Sequence, residues 1–261
     1  MTDASKRLGY GGSAEIDGIQ VLITGGGMEE ADSPSFIEAM DIPPDSNSRS
    51  KMLHADGTAG YTASLNFDCT KKAMPLLSVS KLLGRRYSFN MGIHDGENKF
   101  VMSDCLATNL SITGAPAGLI SVTLAAIART KKTDSLVANS YLLDYTLTPD
   151  DQPMGYWWSG NTDVREWTLA MTQSVEALYL NEDTMDARYL KTGLVEYVLD
   201  VTTYAPQDHA KIIIATSEFT LTGVTTAKGY TFGGVTELGL YTHSFNTAAS
   251  AAVGSGGVII T

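Results

Sequence analysis

Residues 20–31 read QVLITGGGMEEA. An apolar run enters three glycines and leaves through two glutamates, the outline of a strand, a tight turn and a helix. A dinucleotide site built on that outline needs Gly-x-Gly-x-x-Gly, whose third glycine lets the helix pack closely on the strand. Gly25 and Gly27 are in phase, but the third position is Glu30. No Gly-Lys-Ser/Thr follows, and the nearest downstream charges, Glu29, Glu30 and Asp32, would repel phosphate. The residues are better read as a strand that bends or bulges at its glycines.

Period-two alternation continues outward from there. GYTASLNFDCT (60–70) places Tyr61, Ala63, Leu65, Phe67 and Cys69 on one face. SFNMGIH, KFVMSDCLATNLSIT and LISVTLAAIA follow as short β-like runs, and WTLAMTQSVEALYL, GLVEYVLDVTTY, KIIIATSEFTLTG and VTELGLYTHSF extend the pattern beyond the middle of the chain. Two helix candidates, KKAMPLLSVSKLL (71–83) and APQDHAKIII (205–214), each carry a proline early enough for a first helical turn. MDIPPDSNSRSKMLHADGTAG (40–60) is polar and proline-broken and reads as a long loop.

The order of elements recurs. GYTASLNFDCT finds a counterpart in GLVEYVLDVTT with the alternation out of step by one residue, and a helix candidate follows each. LITGGGMEEA is matched by LAMTQSVEAL (169–178), setting Thr24 against Thr172 and Glu29 against Glu176. In that copy the glycines are Gln and Ser, which favours a bulged strand over a phosphate loop.

A chain of 261 residues holds one large β domain or two smaller ones. Its net charge of −11 is uneven. Residues 1–135 carry 13 Lys/Arg against 15 Asp/Glu, and residues 136–261 carry 5 against 14. Such acidity opposes a grip on nucleic acid, which depends on Lys and Arg displacing counterions. Cys69 and Cys105 have no zinc or C-x-x-C spacing and are expected to be buried and reduced. With no apolar leader and no run of about 18 apolar residues, the expectation is a protein made and folded in the cytosol, without a membrane span.

Signals for chemistry are thin. His54, His94, His209 and His243 show no ligand spacing, and His94 with Asp95 and Glu97 sits in GIHDGENK, which reads as an Asp-Gly hairpin turn. Asp150 and Asp151 before Pro153 read as a solvated turn. Trp157 and Trp158, beside Tyr156, form either a stacking platform or a domain-joining strand or interface anchor, and the lack of basic neighbours favours the strand or anchor. ARTKKTD (128–134) reads as a solvated linker or a contact to an acidic neighbour. No catalytic, cofactor or metal residue is assigned, and the chain is not expected to be an enzyme.

FVMSDCLATNLSITGAPAGLISVTLAAIART (100–130) resembles the closing portion of a bacteriophage tail tube (major tail) protein domain, through Leu110, Ser111, Ile112, Gly114, Pro116, Gly118 and Val122. The likeness covers roughly residues 12–130 and is fainter over 155–246. It implies a mainly β fold of two tandem β-sandwich or barrel-like tail-tube domains, each with a short flanking helix: an arm 1–13, a first domain 14–132, a linker 133–155, a second domain 156–246 and an arm 247–261. The implied function is that of a structural virion protein, made in the host cytoplasm, whose stacked rings form a tail tube for genome delivery. Rings would be homotrimers with pseudo-sixfold symmetry if the domain is duplicated, or homohexamers otherwise. Other tail proteins would be partners, and double-stranded DNA would pass through the lumen without specific binding. The alternatives are a distal tail or baseplate hub component, and a β-sandwich carbohydrate-binding module on Tyr156, Trp157 and Trp158.

Overall fold

The computed structural model describes residues 13–38, 52–84, 86–94, 98–114, 118, 120–135, 157–159, 164–179, 186–204, 211–224, 231–232, 241–247 and 257–261. β1 (Ser13–Ile16) reverses through Asp17 and Gly18, at φ of 49° and 74°, into β2 (Ile19–Glu38). Two successive left-handed residues give the turn that matches the natural strand twist, and Asp-Gly is its favoured pair. β2 runs straight through the three glycines, with a bulge between Ile23 and Gly25, so no helix begins after them. Its antiparallel partner is β3 (Met52–Asp68).

The expected loop at 40–60 is therefore strand from Met52 onward, while 39–51 lie outside the described residues. MLHADGTAG lacks apolar alternation, but a ribbon held by backbone hydrogen bonds to β2 needs none. β4 (Ser88–His94), β5 (Asn98–Gly114), β6 (Ile120–Ala128) and β7 (Thr130–Ser135) complete the first half. β4 and β5 form the expected hairpin, though its turn, Asp95 to Glu97, lies outside the described residues. ARTKKTD is strand rather than solvated linker, since β7 pairs with the first part of β5.

Pairing runs β5-β4-β1-β2-β3-β6 and returns to β5, a closed six-strand barrel. The predicted face of β3 points inward, with Tyr61, Ala63, Leu65, Phe67 and Cys69 all buried against Met91, Met102, Leu110 and Leu124 in one core. The helix candidate at 71–83 forms a single 3-10 turn over Met74–Leu77. Pro75 suits its first turn, and Met74, Leu76, Leu77, Leu82 and Leu83 are buried with the barrel core.

The second half comprises β8 (Trp158–Ser159), β9 (Val164–Leu178), β10 (Tyr189–Thr203), β11 (Lys211–Ala215), β12 (Thr220–Val224), β13 (Thr231–Phe232), β14 (Tyr241–Thr247) and β15 (Gly257–Ile260). Part of the second helix candidate is strand β11: Ile212 and Ile214 are fully buried on one face, and a run of stiff β-branched side chains favours pleated backbone. Residues 205–210 lie outside the described residues. The expected carboxy-terminal arm contributes β15, which pairs with β12. The expected linker opens within β7, and 136–156 are not among the described residues.

β5 joins the halves. Its first part pairs with β4 on one side and β7 on the other, and its second part pairs with β9 and β6. One sheet thus runs β13-β14-β10-β9-β5 into the barrel, while β15-β12-β11-β8 form a second sheet. Trp167 is the largest fully buried side chain, meeting Trp157 and Phe219 edge-on at centroid distances of 6.3 and 6.2 Å. Trp167→Ala is expected to cost about 3–5 kcal/mol, read from urea unfolding; a loss below about 1 kcal/mol would contradict this core.

Candidate assembly surface

Alternation that buries one face of the large sheet leaves the other to solvent, and pairing lines its residues up in rows. One row runs Gly25, Asn66, Thr123, Ser111, Ala170 and Val198 across β2, β3, β6, β5, β9 and β10. The next runs Gly27, Ser64, Ala125, Asn109, Thr172 and Glu196. A third runs Asp68, Ser121, Thr113, Thr168, Asp200 and Ser244, crossing onto β14. Thr113 and Thr168 share a hydrogen bond of 3.2 Å across the β5/β9 seam. Small side chains predominate, no lysine or arginine falls in these rows, and their charges are Asp68, Glu196 and Asp200. An open depression of about 540 Å³ on this face is lined by Gly27, Thr62, Ser64, Thr108, Ala125 and Ile127.

Basic side chains gather elsewhere. A cleft of about 520 Å³, where β4 and β9 part from the same side of β5, is bordered by Arg86, Arg129 and Arg188. Arg129 Nε donates to Asp104 Oδ2 at 2.8 Å. Above it the β9–β10 ribbon is tied to the barrel, with the Tyr61 hydroxyl donating to Asp186 Oδ1 at 2.8 Å and the Tyr197 hydroxyl donating to the Leu83 carbonyl at 2.7 Å.

The other candidates do not converge. His94 ends β4, His54 lies in β3, and Asp95, Glu97, His209, Asp150, Asp151 and Tyr156 lie outside the described residues. His243 is buried, its Nε2 3.0 Å from Thr203 Oγ1. Among the described residues no three His, Cys, Asp or Glu side chains are grouped to hold a metal ion. Trp157 is half-buried against Trp167 and Trp158 is 54% exposed, so the two rings do not form one platform. Trp158 lies in β8, which pairs with β11 inside the second half. Cys69 and Cys105 are free and buried, and burial first, then nearby carboxylates, pushes both thiols up to about 12, with a backbone hydrogen bond at Met91 opposing the rise at Cys105.

The sequence search for sites missed this face because it carries no reactive group. Its only sequence signal is the run of Ser, Thr and Gly at the outward positions of each strand. Among the described residues no helix is long and apolar enough to cross a membrane. Compared with protein-family models and with curated proteins, the chain matches none.

Proposed function

We propose that the chain is a tandem repeat of one β unit and that it polymerises into stacked rings, a tail-tube-type structural protein enclosing a passage for double-stranded DNA. The observation that carries this reading is the single sheet crossing both halves, with one face in the core and the other small and hydroxyl-rich in the three rows described, whose charges are all carboxylates; Lys191, farther along β10, is paired with Glu176. A duplex slides past a wall whose central rows offer its phosphates no cation and no bulky side chain.

Strand pairing supports the repeat. In the first half β1 pairs with β4, β2 with β3, β3 with β6, β4 with β5, and β5 with both β6 and β7. In the second half β8 pairs with β11, β9 with β10, β10 with β14, β11 with β12, β12 with β15, and β13 with β14. Each corresponds in chain order if β12 and β13 together stand for β5. Of the first-half pairings, β1 with β2 alone lacks a counterpart among the described residues. Register agrees as well. Phe67 lies between Ile23 and Val122, as Val201 lies between Trp167 and His243; Leu65 lies between Gly26 and Leu124, as Leu199 lies between Leu169 and Phe245. These pairings set Gly26 against Leu169 and Glu29 against Thr172, in place of the sequence matches of Thr24 with Thr172 and Glu29 with Glu176.

A duplicated unit makes three chains the natural ring, with six similar domains around one axis. Negative-stain electron microscopy of the purified chain, concentrated stepwise, tests the reading. Rings or tubes with a central hole are expected, with threefold averages; rings that never stack would instead favour the hub component. Monomers at every concentration would remove the proposal.

A further inference from the structure

Within the chain the two repeats meet by strand addition. The second part of β5 pairs with β9, Thr113 opposite Thr168 and Gly114 opposite Trp167. The strand that stands for this part of β5 in the second repeat is β13: Thr231 and Phe232 lie opposite Thr242 and Tyr241, as Thr113 and Gly114 lie opposite Ser121 and Ile120. The strand that stands for β9 in the first repeat is β2, with Gly25 in the place of Thr168 and Ile23 in that of Trp167.

Among the described residues both of these strands have an open edge: β13 pairs with β14 alone, and β2 from Leu22 onward pairs with β3 alone. One edge is the counterpart of the donor used inside the chain and the other of the acceptor, but they belong to opposite repeats.

The glycines give a separate reason. A side-chain carbon at Gly26 would lie 2.3 Å from the Ser64 carbonyl oxygen, so packing within the chain accounts for that glycine. It does not account for the other two. At Gly27 such a carbon meets nothing within 4 Å, and at Gly25 the nearest atom is Asn66 Nδ2 at an ordinary 3.5 Å. Glycine in a strand marks a bulge or a place where another backbone approaches closely; the bulge beside Gly25 is one such reason, and Gly27 leaves room for the other.

We propose that β13 of one copy pairs antiparallel with the open edge of β2 in a second copy, Thr231 opposite Gly25 and Phe232 opposite Ile23, repeating the β5–β9 junction between chains. The inference rests on the tandem-repeat part of the proposed function and is independent of DNA passage. The contact is head-to-tail, so it leaves one open edge at each end of any short chain of copies and is satisfied everywhere only on closure into a ring.

A cysteine pair tests the register. The hydroxyls of Thr113 and Thr168, 3.2 Å apart, show that side chains at this position of the junction are within disulfide reach. Thr113→Cys with Thr168→Cys is the control and should close a bond inside one chain, read as a faster monomer band on a non-reducing gel. Gly25→Cys with Thr231→Cys should convert most of the monomer band into disulfide-linked dimer and trimer under mild oxidation, while either single variant stays monomeric on the gel. Cys69 and Cys105 are buried and do not compete. Hydrogen exchange on the unmodified protein provides a readout without substitutions: amides of residues 23–25 should exchange roughly tenfold or more slowly in the assembled form.

Rings without cross-links, and without added protection at 23–25, would overturn this interface and leave the ring reading standing. Cross-linked open chains that never close would uphold the interface and defeat the ring. Monomers with neither signal would overturn both.

Discussion

Gly26→Ala is expected to destabilise the chain by ~4 kcal/mol, a fall in melting temperature of roughly 8–16 °C for a protein of this size, whereas Gly27→Ala one residue away should stay within about 0.5 kcal/mol. Gly26 has φ of +138°, which side chains rarely adopt, and its added carbon would also lie 2.9 Å from the Leu65 Cα. Both obstacles are backbone of β3, the partner strand, which cannot swing aside as a flexible side chain would. The barrel must therefore open at the β2–β3 bulge or distort the turn of the chain at Gly26. Gly27 has neither a positive φ nor a near neighbour. Thermal unfolding followed by circular dichroism, below the concentration of assembly, measures both variants. Equal losses would mean that the bulge does not lie where the β2–β3 register places it.

The second large effect is alkaline. Cys69 and Cys105 have ordinary thiol values of 9.0 and are pushed up to about 12 in the fold, chiefly by burial. Below pH 9 both states hold their protons and stability does not depend on these groups. Between pH 9 and 12 the unfolded chain releases protons that the folded chain retains, so stability falls as pH rises. At about 1.4 kcal/mol per unit for each thiol, the two together remove ~8 kcal/mol, against total stabilities of about 5–15 kcal/mol for ordinary domains. Tyr87 acts in the same direction, its hydroxyl pushed up to about 12 by burial first and then by its hydrogen bond to Asp17. Cooperative unfolding is expected inside the pH 9–12 window, with both thiols inert to a disulfide reagent at pH 8 until the chain unfolds. Cys69→Ala with Cys105→Ala should flatten the pH dependence while lowering neutral-pH stability by about 1–2 kcal/mol. A double variant that unfolds at the same pH as the parent would assign the alkaline transition to other groups.

How much of this was legible depends on whether the information was local. The inward face of β3 could be read from residues 60–70, because period-two alternation reports a half-buried strand directly. The strand reading of the glycine stretch also held, since Glu30 breaks the phosphate pattern without reference to any neighbour. The segment 52–60 was misread because its strand character comes from β2, a partner whose backbone is invisible in MLHADGTAG. APQDHAKIII misled through its proline, although its three isoleucines already favoured pleated backbone. Trp167 drew no attention, since a lone tryptophan in an alternating strand gives no hint that Trp157 and Phe219 will close around it.

Alternation, turn residues and charge were enough to establish a mainly β chain, two buried thiols, an acidic second half and a weak internal echo. Each is a property of neighbours in sequence, carried by side chains that meet water or the core one position at a time. The closed barrel, the pairing of β5 with strands of both halves and, among the described residues, the unpaired edges of β2 and β13 arise from pairing between distant segments. Hydrogen-bonded register couples strands far apart in the chain, and a shift of one residue would turn every side chain to the opposite face. Only the folded ladder could therefore set Thr113 against Thr168 and bring a row of unremarkable serines and threonines onto a single surface.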